Sequence, residues 1–86
     1  MKNQAGTEAA VDEGATRAAD TYVGQRARQR RLYLEKEGDG LAIEIGVTPE
    51  RLQRFETGAE RLEPEELRTL AKALGVRMHY FFTGAY

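Results

Sequence analysis

The sequence has no cysteine, no serine and no tryptophan, and its 86 residues include one histidine and two prolines. Without cysteine the chain forms no disulfide and offers no thiolate ligand, and one histidine does not make a zinc site. Serine and cysteine nucleophiles are excluded for the same reason. No apolar run approaches the roughly 18 residues of a membrane helix, and the first residues lack the apolar stretch of a secretory signal. We therefore expect a cytoplasmic protein.

Few residues suit catalysis. The single histidine, His79, has no acid or nucleophile placed to work with it, and the remaining titratable groups are scattered carboxylates. No glycine-rich phosphate loop and no cluster of metal-ligand residues occurs in the sequence. We predict that the protein is not an enzyme, that it has no catalytic residues, and that it needs neither a metal nor a cofactor.

Neither sign of charge is in excess, since 13 basic and 14 acidic side chains leave a net charge of −1. A nearly neutral chain attracts nucleic acid only through a local patch. Residues 1–20 are acidic and rich in alanine, whereas residues 21–34 contain four arginines and no acid. Because residues 1–20 bury too little apolar surface to offset their ordering entropy, we predict a disordered, flexible tail there and one folded domain at residues 21–86.

Helix start and stop signals recur along the domain. Thr48-Pro49 and Pro64 each predict a helix start, because threonine caps a first turn and proline fits the first helical position. Gly46 and Gly75 follow apolar stripes and are typical of helix ends. The predicted helices are a first from Asp20 or Thr21, a second from Asp39 or Leu41 to Ile45, a third from Pro49 to Thr57, a fourth from Pro64 to Leu74 and a fifth from Val76 to Phe82. Three side chains of the last segment are expected to close the core: Met78, Phe81 and Phe82.

The most informative block is Leu41-Ala42-x-x-x-Gly46-Val47-Thr48, followed by x-x-x-Leu52-x-x-Phe55-Glu56-x-Gly58. A small residue at Ala42 lets two helices cross closely, and Gly46 allows the chain to turn within a few residues. Leu52 supplies the apolar anchor of the second helix. The block therefore predicts two helices at a steep angle, with the second presented outward, which is a helix-turn-helix.

Further matches in the same order are Val23-Gly24, Arg31, Leu70-Ala71-x-x-Leu74-Gly75-Val76 and Tyr80-Phe81-Phe82. With them the chain resembles the Cro and lambda-repressor-like helix-turn-helix family, in its Xre-type bacterial form, from Tyr22 to Gly84. The resemblance implies an all-α, five-helix lambda-repressor-like bundle whose third helix enters the DNA major groove. It further implies a sequence-specific transcriptional regulator at the nucleoid, which binds double-stranded DNA. We expect a homodimer on a two-fold operator, because one small helix-turn-helix buries too little surface for specific affinity.

The resemblance also assigns roles by position. Thr48 would cap the recognition helix and contact a phosphate, while Glu50 and Arg54 would meet base edges. Arg31 would pair with Glu56 in a structural ion pair between the first and third helices. The positions implied to lie near the DNA backbone are Arg51, Thr57 and Arg61. The basic run adds two candidates for the same positive face, Arg26 and Arg28.

Some residues favour an alternative function. Family members usually open the second helix with Ser or Thr followed by Gln, whereas this chain has Glu37 and Gly38, with Gly40 two residues further on. Ile43 stands where the family commonly carries an exposed polar residue, which indicates a contact with a protein partner. The alternative is a helix-turn-helix protein-interaction module, antitoxin-like or an adaptor, with weakened or lost DNA binding.

Overall fold

The structure, a computed structural model, describes residues 20–82, which form helices and turns without any strand. Helix α1 covers residues 20–33, and it is followed by α2 (Gly38–Ile45), α3 (Pro49–Glu56), α4 (Pro64–Leu74) and a 3-10 helix (Met78–Phe81). The predicted tail at residues 1–20 lies outside the described residues, except for Asp20, which is helical. The all-α prediction is confirmed for the described part of the chain.

Local signals set most of the helix ends, as predicted. The Thr48 hydroxyl oxygen accepts a hydrogen bond from the backbone nitrogen of Arg51 at 3.1 Å, and Pro49 occupies the first turn of α3. Gly46 and Gly75 end α2 and α4 in the left-handed conformation, with φ of 82° and 71°. At Gly46 this conformation reverses the chain within the few residues that separate α2 from α3.

Helix α2 begins earlier than the sequence predicts. Its first residue is Gly38 rather than Asp39 or a later position, so Gly38 and Gly40 are both helical. The preceding loop is held by Arg31, whose Nη1 donates to the carbonyl oxygen of Lys36 at 2.9 Å. Because Arg31 is itself held by Glu56, this contact fixes the loop at the start of α2, where two glycines cost roughly 1–2 kcal/mol in helix propensity.

The predicted fifth α-helix is a single 3-10 turn in the structure, so the count of five α-helices is not supported. The backbone nitrogens of Tyr80 and Phe82 each donate to the carbonyl three residues earlier, at 2.9 Å. Phe81 is fully buried, whereas Phe82 is 48% exposed, so the prediction that Phe82 closes the core is wrong. A single 3-10 turn is enough to place the Phe81 ring in the core. The chain does not continue as a helix that would also bury the ring of Phe82.

The core joins all four α-helices and the 3-10 helix. Its buried apolar residues are Ala27, Leu41, Ala42, Ile45, Leu52, Phe55, Leu70, Ala71, Leu74 and Phe81. Helix α1 passes α3 at Gly24, where an added Cβ would lie 2.1 Å from the carbonyl oxygen of Phe55. Since α3 is packed directly on the backbone of α1, its opposite face is left to solvent.

Candidate nucleic-acid interface

Helix α3 has one buried and one exposed face. Leu52, Phe55 and Glu56 face the bundle. Four polar residues at positions 50, 53, 54 and 57 are exposed, namely Glu50, Gln53, Arg54 and Thr57. A spacing of three and four residues places them on one side of the helix, and we call them the outward strip. Three of them are among the residues predicted to contact DNA.

Three residues of the outward strip, Glu50, Gln53 and Thr57, line an open groove of about 780 Å³ between α1, α2 and α3, whereas Arg54 is not among its lining residues. The groove is lined from all three helices, by Gln25 and Arg28 of α1, Gly38 and Asp39 of α2, and Glu50 and Gln53 of α3. The structure therefore brings Arg28 to the same groove as the outward strip. Since Asp39 and Glu50 also line the groove, its charge is mixed rather than uniformly positive.

The predicted ion pair between Arg31 and Glu56 lies at the base of this groove. Arg31 Nε donates to one carboxylate oxygen of Glu56 at 2.7 Å, and Nη2 donates to the other at 2.9 Å. The Glu56 residue is only 6% exposed. The hydrogen bond to Glu56 raises the pKa of Arg31, against the opposing effect of burial. The pair therefore fixes α3 to α1, and its groups are engaged with each other rather than turned outward.

The structure turns Arg51 toward the protein, although its position predicted a place near the DNA backbone. Arg51 Nε donates to Glu60 at 2.7 Å, Nη1 donates to Glu66, and Nη2 donates to the carbonyl oxygen of Arg61 at 3.4 Å. The hydrogen bond to Glu66, with that to Glu60, raises the pKa of Arg51. All three guanidinium nitrogens have partners, so Arg51 connects α3 to the following loop and to α4.

Arg54 is the most accessible cation of α3. Its side chain is 53% exposed, and its Nε donates to Glu60 Oε1 at 2.7 Å. Hydrogen bonds from Arg54 and from Arg51 lower the pKa of Glu60, so that this carboxyl stays ionised to lower pH than an ordinary glutamate. Arg54 is therefore both oriented by a carboxylate and open to solvent.

Two other predicted cations are engaged away from the outward strip. Arg61 Nε donates to both carboxylate oxygens of Asp20, at 3.2 and 3.0 Å. The Arg26 guanidinium carbon lies 3.9 Å from the ring centroid of Tyr80, and Arg26 Nε donates to the Tyr80 carbonyl oxygen at 3.1 Å. Because Arg26 and Arg28 lie about 200° apart around α1, only Arg28 faces the groove.

The sequence did not predict arginine partners for Glu60 and Glu66. Both bind arginines of α3, across 6 to 15 positions of sequence. Glu66 could have been found as the third helical residue of a capping box that begins at Glu63. In the structure its carboxylate accepts from the Glu63 backbone nitrogen at 2.8 Å. No comparable local signal marks Glu60, because it lies in an irregular loop whose path depends on the packing of α1 against α3.

The described residues contain no group of three or more side chains placed to hold a metal ion. None of the helices in this part of the chain is long and apolar enough to cross a membrane.

A helix-turn-helix family model matches residues 40–81. A protein of Rhodospirillum rubrum named as a transcriptional regulator in the ATPase CF(0) region is 44% identical over 64 residues, which cover 74% of this chain and 59% of that protein. Two proteins of Sinorhizobium fredii named as HTH-type transcriptional regulators are 42% and 40% identical, over 76% of this chain and 46% of each. The chain thus spans about half the length of the curated relatives it matches.

No solved structure matches the chain significantly. The packing of α2 and α3 around Gly46, the match at residues 40–81 and the regulators above agree with the resemblance noted in the sequence. Residues 40–81 of the chain belong to the helix-turn-helix family.

Proposed function

We propose that the protein is a sequence-specific, DNA-binding transcriptional regulator of the Xre type, acting in the cytoplasm at the nucleoid. The observation that supports it most strongly is the outward strip of α3, in which Arg54 is 53% exposed. A helix with polar, exposed residues on one side and a packed apolar side is suited to the major groove. The relatives named as transcriptional regulators support the same function.

In this proposal, the base contacts come from Arg54 and Glu50. An arginine fork pairs with guanine O6 and N7, and a glutamate accepts from the amine of cytosine. Thr48 and Thr57, at the two ends of α3, contact phosphates, and Arg28 reaches a phosphate across the groove. Arg26, Arg51 and Arg61 act mainly through their contacts within the protein.

We further propose that the protein binds as a homodimer to a two-fold operator, with half-sites about one helical turn apart. One small helix-turn-helix buries little surface on DNA, so a second copy increases affinity and specificity. Phe82 is 48% exposed at the end of the described chain, and it supports a dimer contact near the C-terminal segment.

The test is an anisotropy titration against genomic fragments at two salt concentrations. The wild-type protein should prefer some fragments and lose affinity as salt rises, with a log–log slope of about −0.9 per phosphate contact. Arg54→Glu should weaken binding to preferred fragments about 100-fold, because it removes the fork and adds a negative charge. Arg68→Glu makes the same charge change on the exposed side of α4 and should bind nearly as well.

The alternative, a protein-interaction module acting as an antitoxin-like subunit or adaptor, is favoured by a specific observation. Ile43 is 75% exposed on α2, and Tyr33 is 76% exposed at the end of α1. If the titration shows no salt-sensitive, sequence-preferring binding, the regulator proposal fails. The Ile43 surface then becomes the candidate site for a protein partner.

A further inference from the structure

The loop after α3 is fixed to the last turn of that helix. The Arg54 carbonyl oxygen accepts from the backbone nitrogens of Ala59 and Glu60, at 2.8 and 3.3 Å, and from the Thr57 hydroxyl at 3.1 Å. Gly58, within this loop, packs so tightly on α1 that an added Cβ would lie 2.4 Å from Thr21 Oγ1. The backbone of Glu60 is therefore held at a set position relative to Arg54.

The Glu60 carboxylate bridges two arginines of α3. Oε1 accepts from Arg54 Nε and Oε2 accepts from Arg51 Nε, each at 2.7 Å. Arg51 is itself held by Glu66 and by the Arg61 carbonyl oxygen. Because each oxygen has its own donor, the carboxylate cannot rotate without losing a charge-assisted hydrogen bond. Glu60 is therefore oriented from one side by Arg51 and orients Arg54 on the other.

Arg51 and Arg54 differ in how many of their guanidinium nitrogens remain available for a contact with DNA. Arg51 uses all three nitrogens within the protein, whereas the contact that Arg54 makes among residues 20–82 uses Nε alone. The terminal nitrogens of Arg54 are the pair whose geometry matches O6 and N7 of guanine. Holding Nε on a fixed carboxylate restricts the rotamers of a long side chain before DNA arrives, so less conformational entropy is lost on binding.

We propose that Glu60 is a positioning residue for DNA reading: it holds Arg54 by Nε so that the terminal nitrogens project from the outward strip in the geometry of a guanine contact. This inference rests on the proposed function. It differs from a simple competition in which Glu60 occupies Arg54 at the expense of phosphates. Competition would make Glu60 weaken binding to every sequence alike, whereas positioning makes Glu60 a source of discrimination between sequences.

The experiment measures the Kd of the full chain for two labelled duplexes: one selected by the wild-type protein from random-sequence DNA, and a scrambled duplex of the same composition. Glu60→Ala should lower the ratio of the two affinities about tenfold, the value of one lost bidentate base contact. Binding to the scrambled duplex should stay the same or tighten, since a negative charge near the phosphates is removed. Glu60→Gln, which retains one acceptor oxygen, should recover part of the ratio.

Glu44→Ala is the matched control, because it removes a carboxylate that pairs with Lys36 rather than with an arginine of α3. It should leave the affinity ratio unchanged even if it lowers the melting temperature. In an Arg54→Ala background, Glu60→Ala should have no further effect on the ratio. Circular dichroism at the assay temperature establishes whether each variant is folded. If Glu60→Ala is not folded, the comparison is made with Glu60→Gln instead.

An unchanged ratio in folded Glu60→Ala overturns the inference while leaving the proposed function intact. An equal gain in affinity for both duplexes also overturns it, because that result is the signature of competition. A wild-type ratio of one overturns the proposed function itself, and the positioning role with it.

Discussion

Replacing Glu56 with alanine should lower the free energy of unfolding by about 3–5 kcal/mol, the cost of breaking one half of a buried ion pair. Glu56 is 6% exposed and accepts both hydrogen bonds of the Arg31 fork. In the variant, the Arg31 guanidinium stays largely buried with its carboxylate partner gone. Urea denaturation followed by helical circular dichroism measures the change.

Two further variants separate this effect from charge loss in general. Glu44→Ala removes a carboxylate that pairs with Lys36 at 3.0 Å, where the two side chains are 49% and 33% exposed. That variant should lower the free energy of unfolding by less than about 1 kcal/mol, which is typical of the loss of a surface ion pair. Replacing both partners, with Arg31→Met and Glu56→Leu, should recover only part of the loss: no unpaired charge remains, but the hydrogen bond from Arg31 to the Lys36 carbonyl is also lost. A Glu56→Ala effect no larger than that of Glu44→Ala would contradict the structural role of the pair.

Gly24→Ala should also be severely destabilising, by about 3 kcal/mol or more, which is the upper end for overpacking a core. The added methyl would lie 2.1 Å from the Phe55 carbonyl oxygen and 3.0 Å from backbone atoms of Glu56. A backbone carbonyl has no alternative rotamer, so α1 and α3 would have to move apart. Thermal and urea unfolding of the variant measure the loss.

Gly40→Ala is the contrasting substitution. Position 40 is helical in α2, and an added Cβ there meets nothing within 4 Å. It should stabilise the protein by about 0.5–1 kcal/mol, because alanine loses less backbone entropy than glycine in a helix. A Gly24→Ala variant as stable as the Gly40→Ala variant would contradict the close approach of α1 to α3.

Local chemistry made much of the fold predictable from sequence. The start of α3 at Thr48-Pro49 and the ends of α2 and α4 at Gly46 and Gly75 follow from capping and from the left-handed conformation, and all are observed. The Arg31–Glu56 pair was implied by the resemblance and is present. Each of these features depends on nearby residues or on a motif whose spacing is fixed.

The predictions that differ from the structure concern contacts that depend on how the chain folds. Arg26 is drawn to Tyr80, 54 positions away, which is beyond the reach of a pattern that spans a few turns of helix. The contacts of Arg31 with Lys36 and of Arg54 with Glu60 span only five and six positions, but each depends on the path of an irregular loop. A helical pattern does not predict such a path, so the start of α2 at Gly38 and the role of Glu60 were not predicted.

The distribution of arginines divides structural from exposed positions. Arg31 and Arg51 are tied by several hydrogen bonds within the bundle, whereas Arg54 projects from α3 and Arg28 faces the groove. Few cations around the outward strip are accessible to DNA, and the strip itself includes the acidic residue Glu50. Binding to DNA should therefore depend more on base contacts than on a general phosphate attraction. Its affinity should fall only gradually as salt rises, because few phosphate contacts give a shallow salt dependence.

Whether the outward strip of α3 contacts DNA can be read from the amide chemical shifts of the isotope-labelled chain during titration with its selected duplex. We expect the largest changes at Glu50, Gln53, Arg54 and Thr57, smaller ones at Arg28 and little change at Ile43. Changes centred on Ile43, or none at low salt, would contradict DNA binding by this strip.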